Sequence, residues 1–497
     1  MSIVRLYIIF ILVSILIIWK PASSQNLAGV VYDSSTNIPL AFANIGILGK
    51  PNGTVSNSNG HFYLSLKGID DTDTLICAYL GYITQKISVT SFEKSISIAM
   101  IESATGINGV VILANPMSPK DIIELILKNR KQNYPTVDVK DQVFSRNQTE
   151  MHNQKFKLKL KKSTIDYFTD EMFSDISKNM PKNFLEYQDW LYNMYIYDGE
   201  YKKQKIKGIA HSEGNLDEIE RIGDEVVEIL DNMSGEGLYW KVRSGPFLSV
   251  KIDPDEGAHS QDSAVAINDS IAEVIDTLAI GKGYNMINFK INQYIWRSDF
   301  LNKPGRYKYT IDGGIFINDE SVYVISFKPN GRGLEGTMYV STTTYAILRV
   351  SFVLPDGVKG EGLKMFGVEY RNLAKEGIIY FQAYEGAYRL KYMMISETIR
   401  VGIKRPLGFV QKKERFLFDK KIEEVNFKLH SVFIIKTTNE ILITETEPIT
   451  KQQFESVKIN KELKTETVDQ YNDPSIWEGY TIIEPTQEMK EYRAKRR

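Results

Sequence analysis

The sequence lacks most of the residues on which secreted enzymes commonly depend. Its 497 residues include one cysteine, Cys77, so no disulfide can form within the chain. Cys77 stands in the apolar run TLICAYL with no histidine near it in sequence. Because an apolar strand raises the pKa of a thiol, we predict that Cys77 packs in a core. The net charge is −1, so no global attraction to nucleic acid exists and none is predicted as a partner.

Catalytic signatures are also missing. None of the five histidines begins H-x-x-E or H-E-x-x-H, the spacings that place two zinc ligands close together. G-x-S-x-G, a common serine-hydrolase pattern, is absent. Residues 331–336, GRGLEG, match G-x-G-x-x-G, but a strand-like segment follows them, so we predict a hairpin turn and no phosphate loop. The chain is therefore predicted not to be an enzyme, with no catalytic, metal or cofactor-binding residues and no cofactor.

Two acidic loops were considered as cation sites, because hard cations such as Ca²⁺ bind clustered oxygen ligands. Neither has EF-hand spacing, and Pro254 and Gly257 favour a solvated loop, so neither is predicted to hold a metal. The first loop contributes Asp253, Asp255, Glu256, His259 and Asp262, and the second is GIDDTDT at residues 68–74.

Long apolar runs are confined to the start of the sequence. Arg5 precedes LYIIFILVSILIIW, and small residues follow at positions 22–24. This pattern predicts a cleavable signal peptide over residues 1–24 and an exported protein, with an uncleaved anchor as the alternative. No later segment reaches eighteen consecutive apolar residues, the length that a membrane-spanning helix needs.

Short strands separated by turn residues fill residues 26–102. Segments 28–33, 38–49 and 54–66 are strand-like, and glycines at 53 and 60 are expected to take positive φ at turns. In HFYL we expect Phe62 and Leu64 on one face and His61 and Tyr63 on the other. Near-regular spacing of such strands predicts a Greek-key β-sandwich.

Four motifs mark this segment: GVVYD, PLAFANI, GTVSNSNGHF and the Gly-Tyr pair in LGYITQKISV. Together they resemble the carboxypeptidase-like regulatory domain, a transthyretin-like β-sandwich. The resemblance implies a non-catalytic module that commonly stands at the N-terminus of bacterial envelope proteins as a folding or interaction domain.

The body, residues 115–445, is predicted to be a larger α+β domain with a curved antiparallel sheet, because strand follows strand with short turns. Residues 118–135 read as a helix with Ser118 as N-cap and Pro119 in the first turn. Further helices are predicted over 216–230 and 269–283. A polar tail with a C-terminal helix, 446–497, completes the chain, and Trp477 is expected to anchor this tail to the body.

The body contains the segment SVYVISFKPNGRGLEGTMYVSTTTYAILRVSF. This segment is similar to the sheet of outer-membrane lipoprotein-sorting-like proteins. Residues 144–150, FSRNQTE, stand where related envelope proteins carry Phe-Tyr-Arg-Glu, and Ser145 replaces the tyrosine. The resemblance implies a periplasmic or outer-membrane-associated location.

We therefore predict a mainly β, non-catalytic cell-envelope protein that binds an apolar ligand, such as a lipid, or a partner protein in envelope assembly or transport. The 28 Tyr and 23 Phe favour an apolar concave surface, although the same rings would also fill a large core. Two alternatives stay open: a hydrolase acting on envelope peptides or glycans, and a small outer-membrane β-barrel. The second is disfavoured because the strands over 306–402 carry charges on both faces.

Overall fold

A computed structural model gives the structure of the protein. It describes residues 26–89, 95–103, 117–213, 291–317, 320–415 and 418–459, and parts of 221–252 and 466–491. The chain divides into two compact units. The first joins the N-terminal residues up to 106 with residues 470–492, and the second comprises residues 107–469. The predicted signal peptide, the helix over 269–283 and the acidic loop after Asp253 lie outside the described residues.

The first unit is a β-sandwich of two small sheets. One sheet has the order β4-β1-β7, with β1 antiparallel to β4 and parallel to β7, and the other is antiparallel with the order β3-β2-β5-β6. Apolar residues of alternating strand positions fill the space between the sheets. The strands are β1 Asn26–Asp33, β2 Asn44–Ile47, β3 Gly53–Val55, β4 His61–Ser65, β5 Thr74–Ala78, β6 Gln85–Ser88 and β7 Ser95–Met100.

The predicted sandwich is confirmed, with two local corrections. The strand expected over 38–49 begins only at Asn44, because residues 39–43 form a bridge and a turn. Gly53 lies inside β3, and the positive φ at that hairpin belongs to Gly49 at 74°, whereas Gly60 takes φ 77° as expected. A Cβ on Gly60 would lie 2.6 Å from the Val31 carbonyl oxygen, so both its conformation and its surroundings require glycine.

The outer face of β4 is covered by the C-terminal segment of the chain. Phe62 and Leu64 point into the core, as alternation predicts, but Tyr63 on the other face is only 8% exposed. It forms a β-bridge with Ile482, which is itself buried. Trp477 is buried within this same unit, so the expectation that it anchors the tail to the body is wrong.

The second unit is built on one large sheet, in which fourteen of the described strands take part. Its main order is β13-β14-β15-β16-β18-β19-β20-β8-β9-β10-β21, and all of these pairs are antiparallel except β10 with β21. The strands are β8 Val139–Ser163, β9 Asn183–Tyr197, β10 Glu200–Glu213, β11 Leu238–Ser244, β12 Leu248–Ile252, β13 Tyr307–Ile317, β14 Glu320–Pro329, β15 Glu335–Ser341, β16 Ile347–Val353, β17 Gly362–Met365, β18 Val368–Tyr384, β19 Ala387–Lys413, β20 Lys420–Pro448 and β21 Glu466–Thr467. The mainly β fold class is confirmed.

The helices are α1 Pro119–Asn133, α2 Asp170–Asn179, α3 Asp299–Asn302, α4 Lys451–Ser456 and, in the first unit, α5 Gln487–Glu491. Three helices of the second unit, α1, α2 and α4, pack on the large sheet. α1 begins as predicted: Ser118 Oγ accepts a hydrogen bond from the Asp121 amide, and Pro119 opens the first turn. Its buried face contains Ile122, Ile123 and Ile126. Phe173 of α2 packs with aromatic and aliphatic side chains of β8, β19 and β20 in a second core.

The described part of the chain contains no helix that is both long and apolar enough to span a membrane.

Candidate functional site

A cavity of about 890 Å³ opens between several loops near the β13–β18 side of the large sheet. Residues 294–300 form one wall, and the β14–β15 turn, the loop before β17 and the first half of β18 form the others. Two positions in this wall leave no room for a side chain. A Cβ on Gly333 would lie 2.5 Å from the Tyr307 hydroxyl, and one on Gly360 would lie 2.6 Å from the Asn372 carbonyl oxygen.

Cationic side chains dominate the cavity lining. Six cations face two carboxylates, those of Asp299 and Glu361, which leaves a formal charge of +4 from these eight groups. The six cations are Arg297, Arg306, Arg332, Lys359, Arg371 and Lys375.

Only two of these cations are neutralised within the described residues. Arg306 lies 3.8 Å from Asp299, and Lys375 lies 2.8 Å from Glu397. For Arg297, Arg332, Lys359 and Arg371, no carboxylate among the described residues lies within 4.0 Å. Arg332 and Lys359 are exposed, whereas Arg371 is half-buried. The cavity therefore concentrates positive charge that the described chain does not balance.

Asn372 adds a polar group to the cavity wall. Its side chain is 5% exposed, and its Oδ1 atom has no hydrogen-bond partner among the described residues. A buried amide oxygen without a partner costs roughly 1–3 kcal/mol, and such groups in native structures call for an explanation. The side-chain amide of Asn372 can donate a hydrogen bond through Nδ2 to a ligand oxygen at the cavity wall.

The floor of the cavity is aromatic and rigid. The Lys375 ammonium lies 4.9 Å from the centroid of the Tyr294 ring, which stacks on Phe352 at 5.9 Å. Phe300 stacks on Phe327 with ring centroids 4.3 Å apart. Burial, followed by the negative charge of Glu397, raises the pKa of Tyr294, so its hydroxyl stays protonated at neutral pH. These packed rings hold the cationic walls in place.

The cavity lining also contains the two carboxylates of Asp299 and Glu361. Of the two carboxylates that line the cavity, Asp299 is already paired with Lys303 at 2.9 Å, and no histidine lines the cavity. Within the residues that the structure describes, no group of three or more His, Cys, Asp or Glu side chains is arranged to hold a metal ion.

Several sequence predictions can be located in the structure. Cys77 is fully buried in the sandwich core, and burial raises its pKa to about 12, as its apolar surroundings predict. Residues 331–334 belong to the turn between β14 and β15, and Glu335 and Gly336 begin β15, so the hairpin interpretation is confirmed. Asp73 of the second acidic loop accepts a hydrogen bond from Lys50 at 2.6 Å, which stabilises the loop internally.

Residues 144–150 lie on β8 and contribute to a buried charge network. Arg146 forms a two-pronged ion pair with Asp189 of β9, at 2.9 and 2.7 Å, and both side chains are buried. Tyr392 of β19 donates to Glu440 of β20 at 2.7 Å, and burial raises the pKa of Glu440. The sequence pattern pointed to residues 144–150 but not to Asp189 or Glu440. These two residues come next to Arg146 only because β8 pairs with β9 and with β20.

The cavity residues were not found from the sequence either. Lysines and arginines at 297, 306, 332, 359 and 371 are dispersed along the chain, and no spacing rule connects them. The only local signal is the concentration of glycines around positions 331–336 and 357–362.

Comparisons with known proteins bear on each unit differently. Comparison with curated proteins found none that matches this sequence. Among solved structures, the chain is similar to a DUF1329 family protein from Desulfovibrio piger, with 9% identity, 68% of this chain and 97% of that chain covered, and a TM-score of 0.16. A protein of unknown function from Bacteroides fragilis, provisionally described as membrane-associated, matches with 9% identity, coverage of 84% and 97%, and a TM-score of 0.13.

The N-terminal module has a clearer counterpart. The family model of the CarboxypepD_reg-like domain matches residues 27–112. This range contains the four motifs named above and the strands of the sandwich from β1 to β7. The match identifies residues 27–112 as a CarboxypepD_reg-like domain.

Proposed function

We propose that this protein is a non-catalytic component of the cell envelope whose second unit binds a small acidic, hydroxylated ligand in the cavity around Arg371 and Asn372. Phosphorylated and sulfated sugars belong to this chemical class. The envelope location rests on the signal-like N-terminus and on the regulatory-like domain. One observation carries the ligand class: four cations at the cavity have no carboxylate partner among the described residues.

Charge and geometry both favour an acidic ligand. Guanidinium groups bind phosphate, sulfate and carboxylate through paired N–H donors, and such charge-assisted hydrogen bonds are about twice as strong as neutral ones. Asn372 supplies a buried amide for a neighbouring hydroxyl group. The volume of about 890 Å³ lies within the usual range of roughly 300–1,000 Å³ for ligand sites.

This proposal modifies the expectation from sequence, which favoured an apolar ligand. Many of the aromatic side chains fill the cores: Tyr294, Phe300 and Tyr307 lie at this cavity, but each is at most 5% exposed. The surface left to a ligand is therefore polar and cationic, and an apolar molecule would have to desolvate those charges without replacing their hydrogen bonds.

Calorimetric titration with glucose 6-phosphate, inorganic phosphate and glucose tests the proposal. We expect the wild-type protein to bind glucose 6-phosphate and, more weakly, phosphate, with no measurable binding of glucose. Arg371→Gln should weaken phosphate-ester binding by at least tenfold, because a charged hydrogen bond contributes roughly 1.5–3 kcal/mol.

Arg306→Gln is the matched control, since Arg306 lines the same cavity but already faces Asp299. We expect it to change affinity less than threefold. Equal losses in both variants, or no binding of either phosphate compound at millimolar concentration, would refute the proposal. Displacement of a bound fluorescent fatty acid by apolar compounds alone would restore the apolar-ligand interpretation.

A further inference from the structure

A row of polar side chains crosses the large sheet from the cavity. Residues paired across antiparallel strands share one face of a sheet. The register pairs Lys375 of β18, which lines the cavity, with Glu397 of β19, and Glu397 in turn with Thr437 of β20. Thr437 pairs with Thr149 of β8, and Thr149 pairs with Glu186 of β9. The row therefore connects the cavity with three strands that contribute nothing to its lining.

A second polar row runs beside the first on the same face. Residues two positions apart in a strand point the same way. Asn439 of β20, Asn147 of β8 and Gln188 of β9 are likewise paired in register. Within β9, Gln188 Nε2 donates a hydrogen bond to Glu186 Oε1 at 2.9 Å. We define the polar patch as the members of both rows on these three strands: Thr437 and Asn439, Thr149 and Asn147, and Glu186 and Gln188.

Apolar side chains border the polar patch on the same face. Ile441 follows Asn439 by two residues in β20 and is 1% exposed. On the opposite border, Ile435 and Met151 are paired in register and are half-buried. Polar residues at such positions weaken a face that otherwise packs, and in natural proteins they commonly mark a functional site. The composition of the patch therefore indicates a role other than core packing.

Four members of the polar patch form no side-chain hydrogen bond with another described residue: Thr149, Thr437, Asn147 and Asn439. The Oδ1 atom of Asn147 is buried without a partner in the described part of the chain, and Asn439 is only 8% exposed. Both threonines are half-buried, so their hydroxyls remain within reach of a ligand. Because buried polar groups are nearly always hydrogen-bonded, these amides and hydroxyls indicate a ligand that carries both donors and acceptors.

We propose that the polar patch extends the binding site of the cavity, so that the ligand is an oligosaccharide with an acidic group at one end. The acidic group lies at the cationic cavity, and neutral sugar units lie along the patch. Neighbouring strands are about 4.8 Å apart, so the four steps from Lys375 to Glu186 span about 19 Å, more than one sugar ring. This inference rests on the function proposed for the cavity and specifies its ligand class.

The charges and the strand pairing both favour this ligand. The cations lie at the cavity, whereas the patch offers neutral amides and hydroxyls together with Glu186, which disfavours further anionic groups at that end. An extended peptide would need free main-chain groups at a strand edge. β20 and β8 are each paired on both sides, so only their side chains can contact a ligand. Sugar hydroxyls, which donate and accept, match such side chains.

Calorimetric titration of the full chain with glucose 1-phosphate, maltose 1-phosphate and maltotetraose 1-phosphate tests the inference. We expect affinity to rise with chain length, roughly tenfold from the first compound to the last, because the longer ligands add hydrogen bonds at the patch. T149V/T437V removes two hydroxyls while keeping branched side chains that suit a strand. This variant should lose most of the gain with length and bind glucose 1-phosphate as wild type does.

Thr398→Val is the matched control, since Thr398 is half-buried on β19 and, next to Glu397 in sequence, points to the opposite face. It should bind all three compounds as wild type does. Equal losses in T398V and T149V/T437V would overturn the inference. Equal affinity for the shortest and longest phosphates would also overturn it and leave the cavity proposal standing.

Unphosphorylated maltotetraose separates the two proposals further. If it bound as tightly as its phosphate and lost affinity in T149V/T437V, the patch would be supported and the acidic ligand of the cavity refuted. Failure of all these sugars to bind at millimolar concentration would refute both proposals.

Discussion

At the scale of single residues, hydrogen bonds of Asp33 connect two sequence motifs of the first unit. Asp33 ends β1 and accepts hydrogen bonds from the amides of Ser35 and Thr36 at 2.9 and 2.6 Å, which closes the turn after the strand. Its second oxygen accepts from the Tyr82 hydroxyl at 2.8 Å. Asp33 of the GVVYD motif and Tyr82 of the Gly-Tyr pair are therefore joined directly by a hydrogen bond.

These hydrogen bonds make the first unit sensitive to acid. The Thr36 amide and hydroxyl, with Tyr82, lower the pKa of Asp33 from 3.8 to about 2. Because the folded pKa is depressed, the stabilisation is complete above pH 3.8 and is lost as the pH falls toward 2. We expect Asp33→Asn to speed hydrogen exchange in β5 at pH 7, and the difference from wild type to vanish near pH 2.

Asp71→Asn provides the control for this pH dependence, since Asp71 is exposed in a loop of the same unit. Its exchange rates should follow wild type at every pH. If the difference in hydrogen-exchange rate between Asp33→Asn and wild type stayed constant from pH 7 to pH 2, the titration of Asp33 would not be its cause.

At the scale of elements, the large sheet depends on pairs between strands that are distant in sequence. β8 lies between β9 and β20, and Arg146 is in register with Asp189 on one side and with Glu440 on the other. A buried ion pair need not stabilise a protein more than apolar residues would, but removing one partner leaves an uncompensated charge. The Arg146–Asp189 pair therefore specifies the alignment of these strands.

We expect Asp189→Ala to lower the free energy of unfolding of the second unit by about 3–5 kcal/mol, because the Arg146 guanidinium would stay buried without its partner. Urea unfolding followed by tryptophan fluorescence measures this, and Trp190 lies next to the substituted site. Replacing both residues by apolar ones should recover much of the loss.

The comparison substitution is Glu150→Ala on β8, the strand that carries Arg146. Glu150 pairs with Lys436 of β20 at 3.2 Å, but both side chains are more than 40% exposed. Such surface pairs contribute about 0–1 kcal/mol. If Asp189→Ala and Glu150→Ala lowered the free energy of unfolding by similar amounts, burial of the Arg146–Asp189 pair would add nothing to its effect on stability.

At the scale of the whole molecule, the last described segment of the chain completes the first unit. Thr54 Oγ1 donates to the Ile482 carbonyl at 2.8 Å, and Asn57 Nδ2 donates to the Glu484 and Pro485 carbonyls at 3.0 and 3.1 Å. The Ser65 amide donates to Thr481 Oγ1 at 3.1 Å. These partners are separated by 416 to 428 residues in sequence, so the unit can be completed only after residues 481–485 have been synthesised.

We expect Ile482→Asp to release this segment, because a charge cannot replace an isoleucine that is 3% exposed without a partner. The lost burial corresponds to about 1.5–3 kcal/mol. Hydrogen exchange should accelerate in residues 479–487 and at the Ser65 amide. Ile459→Asp, at a position that is 54% exposed, should change neither. Unchanged protection of 479–487 in Ile482→Asp would contradict the role of this segment.

The sequence alone determined the features that depend on local pattern. Alternating apolar residues predicted the strands, Ser118 with Pro119 predicted the start of α1, and an apolar run predicted a buried Cys77. The sandwich followed from four motifs because turn glycines and core residues recur within about 75 residues. Each of these signals lies within a few residues of the structure that it specifies, where steric and hydrogen-bond rules apply directly.

Only the tertiary structure decided which residues cover the outward faces of the strands. Tyr63 reads as a solvent-facing residue of β4 until Ile482 is placed on it, and Asp189 becomes a buried partner of Arg146 only through the register of β8 with β9. Arg332 and Arg371 likewise meet at one cavity because separate loops converge there. A strand's alternation specifies two faces, but which partner covers each face depends on contacts across hundreds of residues, which no local pattern records.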